Sequence, residues 1–379
     1  MCNSGAGARA AGPVLPSTVG RQLARAPNGH AATARLPRMP PALQATLKRL
    51  ASAVPTLLGV LVITFLITRA LPGDPAAFFA GPAATQEAVA EIRQKLGLDR
   101  SLPVQFGYYV RDLFRGDLGE ALSTGQPVST ELLQRLPASL ELTLCGIVLA
   151  IAVGVPLGIL AATRPGSWID QACRLLATLG VSLPSFFLGL LLIYIFYYRL
   201  GWAPAPLGRL DVFAFPPDKL TGFHLIDTVL RGQWETFRSA FAQLVLPSVT
   251  LGLFALAPLA RMTRAAMLEA LASDYVRAAR ANGLSSARIL LAYALRNALL
   301  PVVTTLGMVF SYLLGINVLV EKVFAWPGIG SFSFEALLAG DYNSVQGFIL
   351  TMGVLFVLLN LSIDLLYGVI DPRVKRTAA

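Results

Sequence analysis

Six stretches of the chain carry no Asp, Glu, Lys or Arg: residues 50–68, 142–163, 175–198, 239–260, 297–320 and 342–363. Each approaches the roughly 20 residues with which a helix crosses about 30 Å of hydrocarbon. A helix satisfies its own backbone donors and acceptors, which lipid cannot do. The pattern therefore predicts an all-α polytopic membrane protein with six transmembrane helices. The second run reaches back to about Leu136 and so takes in Glu141. A buried helix of a soluble domain accounts for one such run and accounts poorly for six.

The polar positions between the runs set an orientation. The segment before the first run, the turn 164–174, the loop 261–296 and the tail from Asp364 together carry a net charge of +13. The remaining segments, with Glu141, carry −3. Basic loops stay in the cytoplasm, so both termini are expected inside. This distribution also explains the overall charge of +10 without nucleic acid as a partner. Composition agrees: 55% of the 379 residues are hydrophobic and 14% charged, against about 25% charged in a soluble domain.

Two outer segments are long. Residues 69–135, a periplasmic loop in this orientation, include a predicted helix at Gln86–Leu96 that Gly97 ends, and a turn at Pro72-Gly73-Asp74-Pro75 that ends the first span. Residues 199–238 are rich in Pro, Gly and aromatics. Residues 1–41 read as a disordered cytoplasmic extension. Two other readings of its first 38 residues stay open, a start at Met39 and an organelle transit peptide. The transmembrane body is expected over 42–376, with its core spans and cytoplasmic loop in 136–370. Cys2, Cys145 and Cys173 lack metal-ligand spacing, and His30 and His224 are isolated. No metal site and no disulfide framework is expected.

The loop between the fourth and fifth runs, AAMLEALASDYVRAARANGLSSARILLAYALRNALLP at 265–301, is the most informative segment. Its first part favours helix. Asn282-Gly283 is a stop signal, and Ser285 or Ser286 can cap a second helix. Ala278, Ala279 and Ala281 would let another surface approach closely. Tyr275 is the kind of amphipathic side chain enriched at interface centres. Arg277 and Arg280 can pair with acidic groups or carbonyls. A short helix joined to two spans could pass a push from a cytoplasmic partner to the membrane. A solvated basic loop that only obeys the charge rule remains the alternative reading.

The same residues resemble the loop of binding-protein-dependent ABC importer permeases, in the dipeptide, oligopeptide and nickel branch. LPGDPAA at 71–77, LGLDRSLPVQFGYYV at 96–110, RGDLGEAL at 115–122, RLPASLELTL at 135–144, LPSVTLGL at 246–253, VFAWPGIG at 323–330 and NLSIDLLYGVIDPRV at 360–374 continue the resemblance in the same order. It covers about 42–376. Arg277-Ala278-Ala279 stands where the wider superfamily has Glu-Ala-Ala, and the distance from Gly283 to Pro301 is longer; both are similar to the peptide branch. Asn282 and Gly340 replace residues that are usually basic.

The resemblance implies a type I importer permease fold. It implies four partners besides membrane lipid: a second homologous permease, two ATP-binding subunits, and a periplasmic or lipid-anchored solute-binding protein. ATP would be used by the partner subunits, with no cofactor in this chain; the sequence contains no G-x-x-x-x-G-K-[ST] phosphate loop. The docking element would be Asp274, Tyr275, Val276, Arg277, Ala278, Ala279, Arg280 and Gly283. Glu141, Ser182 and Pro184 are candidates for the pathway or its gating, Pro184 also as a kink of the third span. Glu141 is expected near the headgroups, where water would reach it. Trp326, Gly328 and Gly330 form an outer turn that either anchors at the membrane interface or touches the binding protein. Asn360 is expected to bond a neighbouring helix. The competing readings are an ion-coupled secondary transporter or channel, and a membrane-embedded enzyme. No span contains a His or paired acids.

Overall fold

The computed structural model describes residues 41–70, 75–81, 83–95 and 97–370, and of 41–53, 70, 75, 78–79, 179, 181 and 364–370 only the backbone. The extension before Pro41, the turn at 72–74, the tail beyond Ile370, Cys2 and His30 lie outside the described residues.

The described residues are helical almost throughout. Helix α1 (Pro41–Ala70) leads into three short helices, α2 (Pro75–Ala80), α3 (Gln86–Lys95) and α4 (Leu102–Phe114). Helix α3 stops where predicted, because Gly97 takes φ +64 and returns its N–H to Gln94 O at 3.0 Å. Then come α5 (Val128–Thr163), α6 (Trp168–Ser182) and α7 (Ser185–Leu192), the last continuing as a π-helical stretch, Ile193–Arg199. Helix α8 (His224–Arg231) precedes α9 (Trp234–Ala272) and the short α10 (Asp274–Ala281). Helix α11 (Ser286–Arg288) runs through π-helical turns at Ile289–Ala294 into α12 (Leu295–Val323), followed by α13 (Ile329–Leu338) and α14 (Tyr342–Ile370).

Four helical stretches among the described residues are long and apolar enough to cross a membrane: Val128–Thr163, Trp234–Ala272, Ser286–Val323 and Tyr342–Ile363. The sequence predicts six. The first predicted run falls in α1, whose described side chains give a shorter apolar stretch, Val54–Arg69. The third is broken rather than kinked. Pro184 lacks an N–H and bars its predecessor from the α conformation. Leu183 and Pro184 are accordingly extended, with ψ 138° and 142°.

The core is a seam between α5 and α9. Gly146, Ala150, Gly154 and Gly158 recur every four residues on one face of α5. A Cβ on Gly158 would lie 2.7 Å from Ala260 O, and one on Gly252 of α9 would lie 2.5 Å from Leu149. Small residues at this spacing let two backbones pack closely where lipid supplies no hydrophobic drive. The opposite face of α5 carries bare apolar side chains such as Leu133, Val148 and Leu160. Water would not leave such surface uncovered over so much of a chain. Helix α14 packs on α1, where Gln346 Nε2 donates to Thr68 Oγ1 at 2.5 Å.

Candidate functional site

Helix α9 runs well past its apolar window and ends at Ala272. Ser273 is extended (ψ 155°), and α10 begins at once. The eight residues of α10 are two-faced. Val276 and Ala279 are buried against Ile289, with Leu284 beside them. Asp274, Tyr275, Arg277, Ala278 and Arg280 face out, Tyr275 with 41% of its surface exposed. Arg277 pairs with Asp274 across one turn. Val276 and Ala279, named with the docking residues, turn inward as part of a small apolar cluster. Gly283 takes φ +73, and Leu284 N–H bonds Ala279 O at 3.2 Å, which ends α10 where predicted. Nothing lies within 4 Å of an added Cβ there. Ser285 stands at the N-cap of α11 without a side-chain cap bond. A cavity of about 430 Å³ opens beside α10 between Leu268, Leu271, Arg280, Ser286 and Leu290.

The other predicted residues lie apart from this loop. Glu141 is 4% exposed, against the expected contact with water. Its Oε2 accepts from Arg209 Nη2 at 2.5 Å, and its Oε1 accepts from Leu225 N at 2.8 Å. Arg209 also donates to Gly222 O at 2.9 Å. The pair stitches the loop 199–223 to α5; a buried acid was tolerable here because the loop brings it a cation and a backbone donor. Trp326 is 1% exposed, and its Nε1 donates to Ala138 O at 2.9 Å. Enclosed by the chain itself, the Trp326 ring does not reach lipid, which corrects the anchor expectation, while Pro327 of the same turn is exposed. Gly328 and Gly330 face inward too: a Cβ on Gly328 would lie 2.3 Å from the Glu321 carboxyl carbon, and one on Gly330 2.8 Å from Val318 Cα. Ser182 is exposed and donates to Thr178 O at 2.7 Å. Pro184 makes the break between α6 and α7. Asn360 is exposed beside a cleft between α12 and α14.

Comparison with known proteins decides what this architecture is. Residues 154–376 match the family model described as "Binding-protein-dependent transport system inner membrane component". Residues 42–143 match its N-terminal companion. The chain belongs to this family. Its members are permease subunits of ABC importers, multi-pass proteins of the inner membrane, with ATPase activity in separate subunits. A probable D,D-dipeptide transport system permease protein of Escherichia coli (strain K12) is 48% identical over 84% of this chain and 93% of its own length. A dipeptide transport system permease protein of Alkalihalophilus pseudofirmus is 41% identical over 87% and 98%. A di/tripeptide transport system permease protein of Pseudomonas aeruginosa is 43% identical over 86% and 97%.

The permease also holds a cluster that sequence reading passed over. Glu321, at the end of α12, is fully buried. Its Oε1 accepts from Ser139 Oγ at 2.5 Å and Asn317 Nδ2 at 2.7 Å, and its Oε2 accepts from Ser331 N at 2.8 Å. Ser139 Oγ in turn accepts from Ile329 N at 2.9 Å. The carboxyl group sits at the N-terminus of α13, where it takes up one of the N–H groups that the helix leaves without an internal partner. One side chain thereby joins α5, α12 and α13. The available signal was the pair Gly328 and Gly330, which clear the space the carboxylate fills. Read alone, Glu321 was simply the first charge after an apolar run.

At the start of α8, burial pushes the His224 imidazole down to about 4, with Arg209 adding to the effect. The permease therefore holds His224 neutral, and acidification between pH 6.5 and 4 protonates the unfolded chain first. Stability in this window is expected to fall as pH falls. A His224→Gln permease in mild detergent should lose less of its thermal midpoint between pH 7 and pH 5 than the parent. An equal loss in both would show that other groups set the acid response.

Proposed function

We propose that the chain crosses the membrane six times with both termini in the cytoplasm, and forms half of the translocation pathway of an ATP-driven importer for dipeptides or similar small solutes. A second, homologous permease supplies the other half. Two ATP-binding subunits dock from the cytoplasm, and a periplasmic or lipid-anchored solute-binding protein delivers the cargo. The charge bias of +13 against −3 supports the orientation. The dipeptide and di/tripeptide permeases that resemble this chain support the cargo.

One observation carries the docking reading: α10 is a separate two-faced helix set directly on the end of α9, with Tyr275, Arg277, Ala278 and Arg280 outward. The recess beside it could take a side chain of the ATP-binding subunit. ATP binding draws the two ATPases together, α10 moves with them, and α9 carries the movement into the membrane. ATP achieves this only by favouring one global state over the other.

The test is isolation of the tagged permease from its own membranes in mild detergent. A second permease and two ATP-binding subunits should accompany it, with ATPase activity that rises when the binding protein and a dipeptide are added. A stable lone protein without ATPase would move the reading to an ion-coupled secondary transporter.

A further inference from the structure

The turn between α5 and α6 meets the far end of α9 around one buried carboxylate. Asp170, in the first turn of α6, has no exposed surface. Local bonds shape the turn: Ser167 Oγ accepts from Asp170 N at 3.4 Å, and Asp170 Oδ2 accepts from Gly166 N at 2.9 Å. Arg264 reaches in from α9, ninety-four residues away, with Nε 2.5 Å from Oδ1 and Nη2 3.0 Å from Oδ2. This two-pronged geometry is the strong form of the arginine–carboxylate pair. Arg174, one turn along α6 and largely exposed, places Nη2 2.6 Å from Oδ2. Hydrogen bonds from Arg264 and then Arg174 hold the carboxyl far below the usual carboxylate range. It stays ionised at any physiological pH.

The position of the pair gives it a mechanical meaning. Arg264 precedes Asp274 by ten residues, about 15 Å along a helix axis. At the other end of α6, a Cβ on Gly180 would lie 2.9 Å from Leu253 O of α9. Helix α6 is thus held to α9 near both its ends. Beyond Leu183–Pro184 a further helix joins: a Cβ on Gly189 of α7 would lie 3.1 and 3.2 Å from Phe324 and Val323, at the far end of α12, besides 3.6 Å from Thr250 of α9. Arg174 alone could neutralise the turn. Arg264 is the arm that crosses to another helix.

We propose that Asp170 and Arg264 are positioning residues that make α6 travel with α9, so that movement delivered to α10 reaches the Leu183–Pro184 break, which acts as the hinge of the third span. The inference rests on α10 as the ATPase docking element.

The test uses the complete importer, reconstituted in proteoliposomes, and reads solute imported per ATP hydrolysed. Arg264→Met should assemble and hydrolyse ATP but import at least tenfold less per ATP. Arg264→Lys, which keeps the charge and loses the fork, should fall between. Arg174→Met should stay within twofold of the parent. A parental ratio in Arg264→Met, or an equal fall in Arg174→Met, overturns the proposal. Should Arg264→Met fail to assemble, nitroxide labels in the otherwise native complex decide, with Cys2, Cys145 and Cys173 replaced by Ala. The distance between labels at 175 and 262 should hold on ATP binding while that between 175 and 187 changes; the reverse overturns the proposal. A parent complex without ATPase activity would instead remove the importer reading, and the clamp with it.

Discussion

Glu321→Ala is expected to leave little folded permease in the membrane. The substitution strips the acceptor from Ser139 Oγ, Asn317 Nδ2 and Ser331 N at once, all in buried surroundings. A buried polar group left without a partner costs about 1–3 kcal/mol, so the combined loss is on the order of several kcal/mol. That is comparable with the whole stability of many domains, about 5–15 kcal/mol. Glu321→Gln should be milder, because Asn317 Oδ1 has no partner in the native cluster and a flipped amide could receive the new donor. Gly328→Ala should resemble Glu321→Ala, since its methyl would fall within 2.3 Å of the carboxyl carbon. Size-exclusion profiles and thermal midpoints in mild detergent measure all three. A parental profile for Glu321→Ala would show that the carboxylate is dispensable to the fold.

Gly283→Trp should abolish import while leaving the amount of permease in the membrane unchanged. Its φ of +73 strains any L-residue by about 1–2 kcal/mol. Open space around the position leaves no further cost inside the chain. The indole would stand at the foot of α10, where the ATP-binding subunit is proposed to seat. Gly283→Ala carries the same strain without the bulk and should import within a few-fold of the parent. Tyr275→Ala removes the largest outward side chain of α10 and should lower import at least tenfold. Ala279→Trp is unsuitable for this purpose, because Ala279 is 5% exposed and the change would burst the cluster behind α10. Transport assays in membrane vesicles, with immunoblots for permease level, make the comparison. Parental import by Gly283→Trp would remove the docking role of this turn.

The sequence made the helices legible where one residue type decides the matter. Gly97 and Gly283 stop helices because each takes positive φ. Pro184 interrupts the third run because it lacks an N–H. The orientation of single side chains was less legible. Periodicity over eight residues does not say which face of α10 meets Ile289. Glu141 and Trp326 were misread as exposed because their partners, Arg209 and Ala138 O, lie 68 and 188 residues away. Glu321 was passed over for the same reason: its nearest long-range partner is 182 residues distant. Such pairings follow from how the helices cross, and one sequence does not display that crossing. The seam on α5 is the opposite case. Gly146, Ala150, Gly154 and Gly158 stand at constant spacing in the sequence, a pattern that the absence of charge alone does not single out.

That seam also sets how this gene can drift. Along α5, positions that touch α9 and positions that face outward alternate within each turn. Val148 and Leu160 can exchange with other aliphatic residues at little penalty, whereas any side chain at Gly158 must displace a carbonyl of Ala260. Variation among descendants should therefore accumulate in stripes, with every fourth codon of this stretch frozen and its neighbours free.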